Sequence, residues 1–223
     1  MAWLIVVDFD GTITERDTLD DVLERYAPEA YELAEAGLAA GRLTLRECME
    51  QEFAPVCGDP GTIIAEAVGA AVVRPGFAEF VQAGEAAGHR IVVVSGGFES
   101  IIRPVLARED AGHLPVFAHE ASFTAQGTTL EFRHWDDCAA CGEECKRSIV
   151  AGLRNGDEVV YIGDGYSDRC AALVADRRFA RRFLASDLDD AGVEYTPFDD
   201  FHTVRKALLG PDANPAPDPS QSG

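Results

Sequence analysis

Asp8-Phe9-Asp10-Gly11-Thr12 places two carboxylates two residues apart, directly after the apolar run Leu4-Ile5-Val6-Val7. Such a pair at a strand end can converge on one hard cation, or divide the work of nucleophile and proton donor. A lone D-x-D is more often an acidic turn, so its company matters. Ser95-Gly96-Gly97 closes a second apolar run and offers a hydroxyl and exposed N–H groups to a phosphate oxygen. Lys146 is one of only two lysines among 19 basic residues, the other being Lys206. A lysine kept where arginine is otherwise used suits a need for a compact point charge. Gly163-Asp164-Gly165-Tyr166-Ser167-Asp168 follows a third apolar run and brackets a glycine turn with two acids. One of them could complete the coordination of a Mg²⁺ held by the first pair, and the other could orient the lysine or the metal's waters.

These groups need a scaffold that brings strand ends together. Leu4–Val7, Arg90–Ser95 and Glu158–Asp164 read as strands buried on both faces, separated by Ala-, Leu- and Glu-rich helical stretches such as Phe77 to Ala87. That alternation predicts an α/β fold with a mostly parallel sheet flanked by helices, whose ligands bind at the carboxyl ends of the strands. The segment from Glu15 to Val73 is different. It predicts short helices over Leu19–Ala27, Ala30–Ala39, Leu45–Phe53 and Ile63–Val72, inserted after the first strand. The expected division is a discontinuous core of residues 1–14 and 74–210, a helical cap of 15–73, and a Pro-, Asp- and Ser-rich disordered tail of 211–223. Alternation from Ala121 to Phe132 around Gln126-Gly127 predicts a hairpin.

Taken together and in this order, the four motifs resemble those of the haloacid dehalogenase superfamily of phosphotransferases. Asp8 to Thr14 resembles its D-x-D-x-T motif, Ser95 its second, Lys146 its third, and Gly163-Asp164 with Asp168 its fourth. The resemblance spans the whole sheet domain and implies a Rossmann-like core and a Mg²⁺-dependent phosphomonoesterase. It implies Asp8 as the nucleophile that accepts the phosphoryl group, and Asp10 as the acid that protonates the leaving oxygen and then activates water. Ser95, Gly96 and Lys146 would bind the phosphate, while Asp8, the Asp10 carbonyl and Asp164 would ligate Mg²⁺, with Asp168 orienting.

The position of the insert resembles the first cap class of that superfamily. Within it the chain is similar to phosphoserine phosphatases and to the methionine-salvage phosphatases of 2-hydroxy-3-keto-5-methylthiopentenyl 1-phosphate. Asp17 falls where a cap acid would meet the substrate. Arg42 and Arg46 lie in the cap, and neither aligns with a carboxylate-binding arginine. The Cys-Gly-rich approach to Lys146 favours the methionine-salvage reading; a phosphoserine phosphatase, a phosphomutase and a non-catalytic phospho-acceptor are the alternatives.

Composition narrows the partners. Acidic residues outnumber basic ones 39 to 19, for a net charge of −20. Binding to nucleic acid or to anionic lipid needs the opposite sign, so neither is an expected partner; a small phosphorylated metabolite is what the resemblance implies. The apolar start lacks a basic leader, no run is long enough to span a membrane, and the six cysteines read as reduced thiols in a cytoplasmic protein. His134, Cys138, Cys141 and Cys145 form an H-x3-C-x2-C-x3-C series. Its cysteines fall at i, i+3 and i+7, which predicts one packed helix face, with zinc binding or redox sensing as alternatives. Cys48, Cys57 and Cys170 read as isolated small apolar residues.

Overall fold

In the computed structural model, residues 2–133, 136–142 and 144–210 are described. The tail of 211–223 and His134 lie outside them. The chain opens with strand β1 (Trp3–Val7), whose alternate side chains face opposite layers. Ile5 and Val7 join one buried cluster, and Leu4 and Val6 join the other. An apolar run without alternation is therefore two-sided burial, as the sequence predicts.

Beyond β1 the chain makes a wide turn, Phe9–Ile13, and enters four helices: α1 (Thr18–Tyr26), α2 (Pro28–Ala39), α3 (Leu45–Phe53) and α4 (Pro60–Ala70). Their starts are chemically marked. Asp17 caps α1 by accepting from Leu19 N at 2.8 Å, and Asp59 caps α4 by accepting from Thr62 N at 2.8 Å. Thr44 and Glu47 form a capping box on α3. The insert leaves and returns through one crossing, where Glu15 N donates to Val72 O and Arg74 N to Ile13 O, at 2.9 and 2.8 Å. Its apolar faces share a cluster with Phe98, Ile101 and Phe123 of the sheet domain.

The chain then continues through α5 (Phe77–Ala86), β2 (Arg90–Phe98), α6 (Glu99–Arg108), β3 (Val116–Thr124) and β4 (Gly127–Glu131). A two-stranded excursion, β5 (Asp136–Asp137) and β6 (Glu144–Cys145), leads into α7 (Arg147–Leu153). The remaining elements are β7 (Glu158–Gly163), α8 (Arg169–Val174), β8 (Arg177–Ala180), α9 (Arg182–Asp190), β9 (Thr196–Pro197) and α10 (Phe201–Leu209).

Seven strands form one sheet in the order β4-β3-β2-β1-β7-β8-β9, parallel except for the β3–β4 hairpin. The hairpin turns at Ala125-Gln126, one residue before the predicted Gln126-Gly127. β1 lies between β2 and β7, so the chain crosses to both sides of it and leaves a crevice at its carboxyl end. Asp8, Ser95 and Asp164 all reach that edge. One expectation fails here. Cys138 to Cys145 is not a helix: Cys138 follows β5, Cys141 lies in the turn and Cys145 belongs to β6. Gly142 with φ +75° and a short two-stranded ladder hold this segment outside helical geometry.

Candidate active site

Lys146 is the hub of the site. Its Nζ, almost fully buried, donates to Asp8 Oδ1 and, at 2.6 Å, to Asp168 Oδ1. Asp168 is held from four directions. Besides the lysine, Tyr161 Oη donates to Oδ1 at 2.6 Å, and the N–H groups of Asp164 and Gly165 reach Oδ2 at 2.9 and 2.8 Å. With both oxygens engaged, Asp168 is a fixed counter-charge that aims Lys146. Burial alone would lower the Lys146 pKa, but Asp168 and Asp8 outweigh it and keep the ammonium charged.

The turn after β1 is built for close approach. Gly11 has φ +73°, and a Cβ there would lie 2.3 Å from Asp164 Oδ2. Thr12 Oγ1 donates to Asp164 Oδ1 at 3.1 Å, which ties the first motif to the fourth. Arg74, also buried, clamps this turn from behind. Its guanidinium donates to the carbonyls of Thr12 and Gly11, each at 2.9 Å, and of Thr14 and Asp199, each at 3.1 Å.

Oxygens of Asp8, Asp164 and Asp168 lie within 4.8 Å of one another. This is a hard, all-oxygen donor set that suits Mg²⁺. Because Asp168 is consumed by its four donors, Asp8 and Asp164 are the carboxylates left to ligate. Burial pushes the Asp8 pKa well above the usual carboxylate range; Asp168 and Asp164 push the same way and Lys146 opposes them. Asp164 is raised as well, by burial and by Asp168. Three crowded carboxyls facing one lysine leave negative charge that a divalent cation would offset.

Asp10 points the other way, toward the insert. Its Oδ1 accepts from Thr18 N at 2.9 Å and Thr18 Oγ1 at 2.7 Å, and its Oδ2 lies 3.5 Å from Ser95 Oγ. Burial raises its pKa, while the two Thr18 bonds pull it down. Ser95 Oγ accepts from Gly97 N at 2.8 Å, which fixes the hydroxyl at the sheet edge beside Gly96.

A cavity of about 440 Å³ joins these groups to the insert. Asp8, Asp10, Ser95, Gly96, Lys146 and Asp164 form its floor, and Asp17, Leu23, Met49, Glu52 and Phe53 are among its walls. Every residue expected at the site lines it except Asp168, which sits just behind Lys146. Arg42 and Arg46 do not line it: Arg42 donates to Ala36 O at 3.2 Å, and Arg46 stacks 4.0 Å over the Phe132 ring. Sequence reasoning missed Thr18, Arg74 and Tyr161. Tyr161 carried a usable signal, since a hydroxyl inside a two-sided apolar strand must find a buried partner.

A parallel sheet with an insert after its first strand carries, at the switch point, a D-x-D, Ser, Lys and Asp cluster with the groups that phosphoryl transfer requires. The chain belongs to the haloacid dehalogenase-like hydrolases, whose family model matches residues 5–173. It is a phosphatase of that family.

It is 31% identical over 215 residues to the 2-hydroxy-3-keto-5-methylthiopentenyl-1-phosphate phosphatase of Bacillus cereus, covering 93% of this chain and 96% of that one. It is 32% identical over 210 residues to the bifunctional enzyme MtnB/MtnX of Bacillus licheniformis, covering 92% of this chain and 49% of that protein, so it spans about half of that relative. Among solved structures, a substrate-bound phosphoserine phosphatase superposes with a TM-score of 0.74 at 18% identity, over 93% of this chain and 99% of that one. That likeness is one of fold.

Proposed function

We propose that the protein hydrolyses 2-hydroxy-3-keto-5-methylthiopentenyl 1-phosphate, with Mg²⁺ as cofactor, and that Asp8 carries the phosphoryl group between substrate and water. The observation that carries the choice of substrate is the lining of the cavity. Among the described residues its cations are Lys146 and Arg182, both from the sheet domain. The insert contributes none. Its walls are Leu19, Leu23, Leu38, Leu45, Met49 and Phe53, interrupted by carboxyls. A thioether tail matches such walls. A phosphoserine carboxylate would meet Asp17, Asp20, Glu35 and Glu52 with no insert cation to offset them. Burial pushes the Glu52 pKa up to about 7 and that of Asp17 well above the usual range. In their protonated forms these carboxyls donate to keto and hydroxyl oxygens.

In this reading Asp8, on the rigid end of β1, attacks phosphorus and displaces the substrate oxygen. Asp10, whose pKa burial raises, gives that oxygen its proton and later takes one from water. Lys146, Ser95 and the N–H groups at Gly96 and Gly97 hold the equatorial oxygens. Asp8 and Asp164, with the Asp10 carbonyl, would hold Mg²⁺, which when bound supplies positive charge to the transferring phosphoryl group. Residues 15–73 act as a cap over the core of 1–14 and 74–210, with Asp17 at the substrate. The acidic charge balance and the free thiols fit a cytoplasmic enzyme of small-molecule metabolism; among the described residues no helix is long and apolar enough to cross a membrane.

Steady-state kinetics against freshly generated enol phosphate and against phosphoserine, with and without Mg²⁺, tests the proposal. A kcat/KM at least ~10²-fold higher for the enol phosphate is expected, as a missing counter-charge discriminates strongly. A preference for phosphoserine would overturn the substrate assignment, and full activity after exhaustive chelation would overturn the metal.

A further inference from the structure

The Sγ atoms of Cys138, Cys141, Cys145 and Cys170 lie within 4.8 Å of one another. Three of these residues are buried, Cys141 sits at the solvent edge, and no disulfide joins them. They come from two places in the chain. Cys138, Cys141 and Cys145 belong to the β5–β6 excursion, whereas Cys170 lies in the first turn of α8. The isolated reading of Cys170 therefore fails, because the fold closes a gap of 25 residues that spacing along the chain cannot show.

We propose that these four cysteines form a structural Zn²⁺ site. A tetrahedron with Zn–S bonds of about 2.3 Å has sulfurs about 3.8 Å apart, so the cluster needs only a small contraction to close. The local backbone is shaped for this. Cys138-Ala139-Ala140-Cys141-Gly142 is a tight turn in which Ala140 N donates to Cys138 Sγ at 3.4 Å and Gly142 N to Cys138 O at 2.8 Å. Gly142 supplies the φ of +75° that lets the chain turn away after the second cysteine. An N–H aimed at sulfur stabilises a thiolate, the form that binds metal. Packing alone accounts poorly for the group, since Cys141 is exposed yet has its sulfur turned toward the other three. Soft, all-sulfur tetrahedral sets select Zn²⁺ over the hard Mg²⁺ of the catalytic crevice. Binding converts the four thiols to thiolates and releases their protons to solvent.

The placement gives the site a consequence. Cys145 directly precedes Lys146, and Cys170 follows Asp168 by two residues. The metal would pin the segment carrying the lysine to the helix that follows its counter-charge, so that the 2.6 Å Lys146–Asp168 bond is held from behind. This assignment rests on the cysteine geometry and is independent of the substrate.

The test is metal analysis of full-length, tag-free protein purified in reductant without chelator. About one zinc per chain is expected for the wild type and for Cys57→Ser, which alters an exposed cysteine of the insert, and less than about a fifth of that for Cys141→Ser and Cys170→Ser. Should the variants fold poorly, Co²⁺ titrated into metal-depleted wild type decides. Intense visible bands of tetrahedral cobalt with sulfur-to-cobalt charge transfer support the site. Zinc-free wild type with its thiols all freely titratable and no such bands, or a disulfide within the group, would overturn it. Iron in place of zinc would overturn the choice of metal.

Discussion

Thr18, the first residue of α1, donates both its backbone N–H and its hydroxyl to Oδ1 of Asp10. The residue expected to move protons is thus fastened to the insert that covers it, and each bond favours its ionised form. Thr18→Val keeps the N–H bond and the buried volume but removes the hydroxyl. The Asp10 pKa should then rise, by about one unit if the lost bond is worth ~1.4 kcal/mol. A general acid works while protonated, so the alkaline limb of the kcat profile should move to higher pH. An unchanged profile would mean that Asp10 is not the group that titrates.

The division of work between the first two carboxylates leads to a second expectation. Asp8→Asn should abolish turnover with the fold intact, because an amide cannot form the acyl phosphate. Asp10→Asn should still accept phosphate from an activated aryl ester yet lose about 10²–10⁴-fold in hydrolysis. Acid-quenched capture of labelled phosphate on the protein distinguishes the two. Wild-type turnover by the Asp8 variant would remove the mechanism.

Lys146→Arg should be close to inactive. The ammonium fits between Asp8 and Asp168 in a site almost closed to solvent, and a planar guanidinium needs more room and spreads its charge. A fall in kcat/KM of about 10³-fold corresponds to ~4 kcal/mol of lost transition-state binding. Near-normal kinetics would show that the lysine serves only the fold.

Most of the floor of the site was legible in the sequence because it lies within a few residues of the ends of apolar runs. Asp8 and Asp164 each follow a strand, Ser95 closes the apolar run of β2, and parallel pairing brings such positions to one edge. What was illegible depended on distance in the chain. Arg74 carries no motif signal, and only folding sets it against the Gly11, Thr12 and Thr14 carbonyls. Cys170 looked solitary for the same reason. The cysteine series was misread because i, i+3 and i+7 is helical spacing, whereas Gly142 and the β5–β6 pairing impose a turn. The helices of the insert lie near the positions that the absence of strand-like runs gave them, yet their caps and which of their faces line the cavity required the structure.

Arg74 gives a prediction about stability. Arg74→Met leaves four backbone carbonyls without their donor, three of them on the turn that carries Asp10 and Thr12. Losing buried bonds to a charged donor should destabilise the protein by about 3 kcal/mol, partly offset by the apolar replacement. Urea unfolding should show a lower midpoint at unchanged slope. A shift under ~0.5 kcal/mol would mean that the turn holds itself.

The last prediction concerns Glu52 and how stability varies with pH. Burial is the main cause that lifts its pKa from the ordinary 4.5 to about 7, with Cys48 opposing through a 3.3 Å contact. A carboxyl raised in the folded state binds its proton more tightly there than in the unfolded chain. Its contribution is therefore fully present below pH 4.5 and is lost as pH rises through about 7. Between those values the folded state holds the extra proton, so this group makes stability fall as pH rises. Glu52→Gln replaces the ionising group with a neutral one of similar shape and should flatten that dependence. The variant should gain Tm relative to wild type at pH 8 and match it near pH 5, in measurements made without divalent cation so that the catalytic carboxylates contribute equally to both proteins. Parallel curves for the two proteins would show that Glu52 titrates normally and that the cavity wall is charged at neutral pH. A charged wall would weaken the case for a neutral, keto-bearing substrate tail, so the same measurement bears on the choice between the two phosphates.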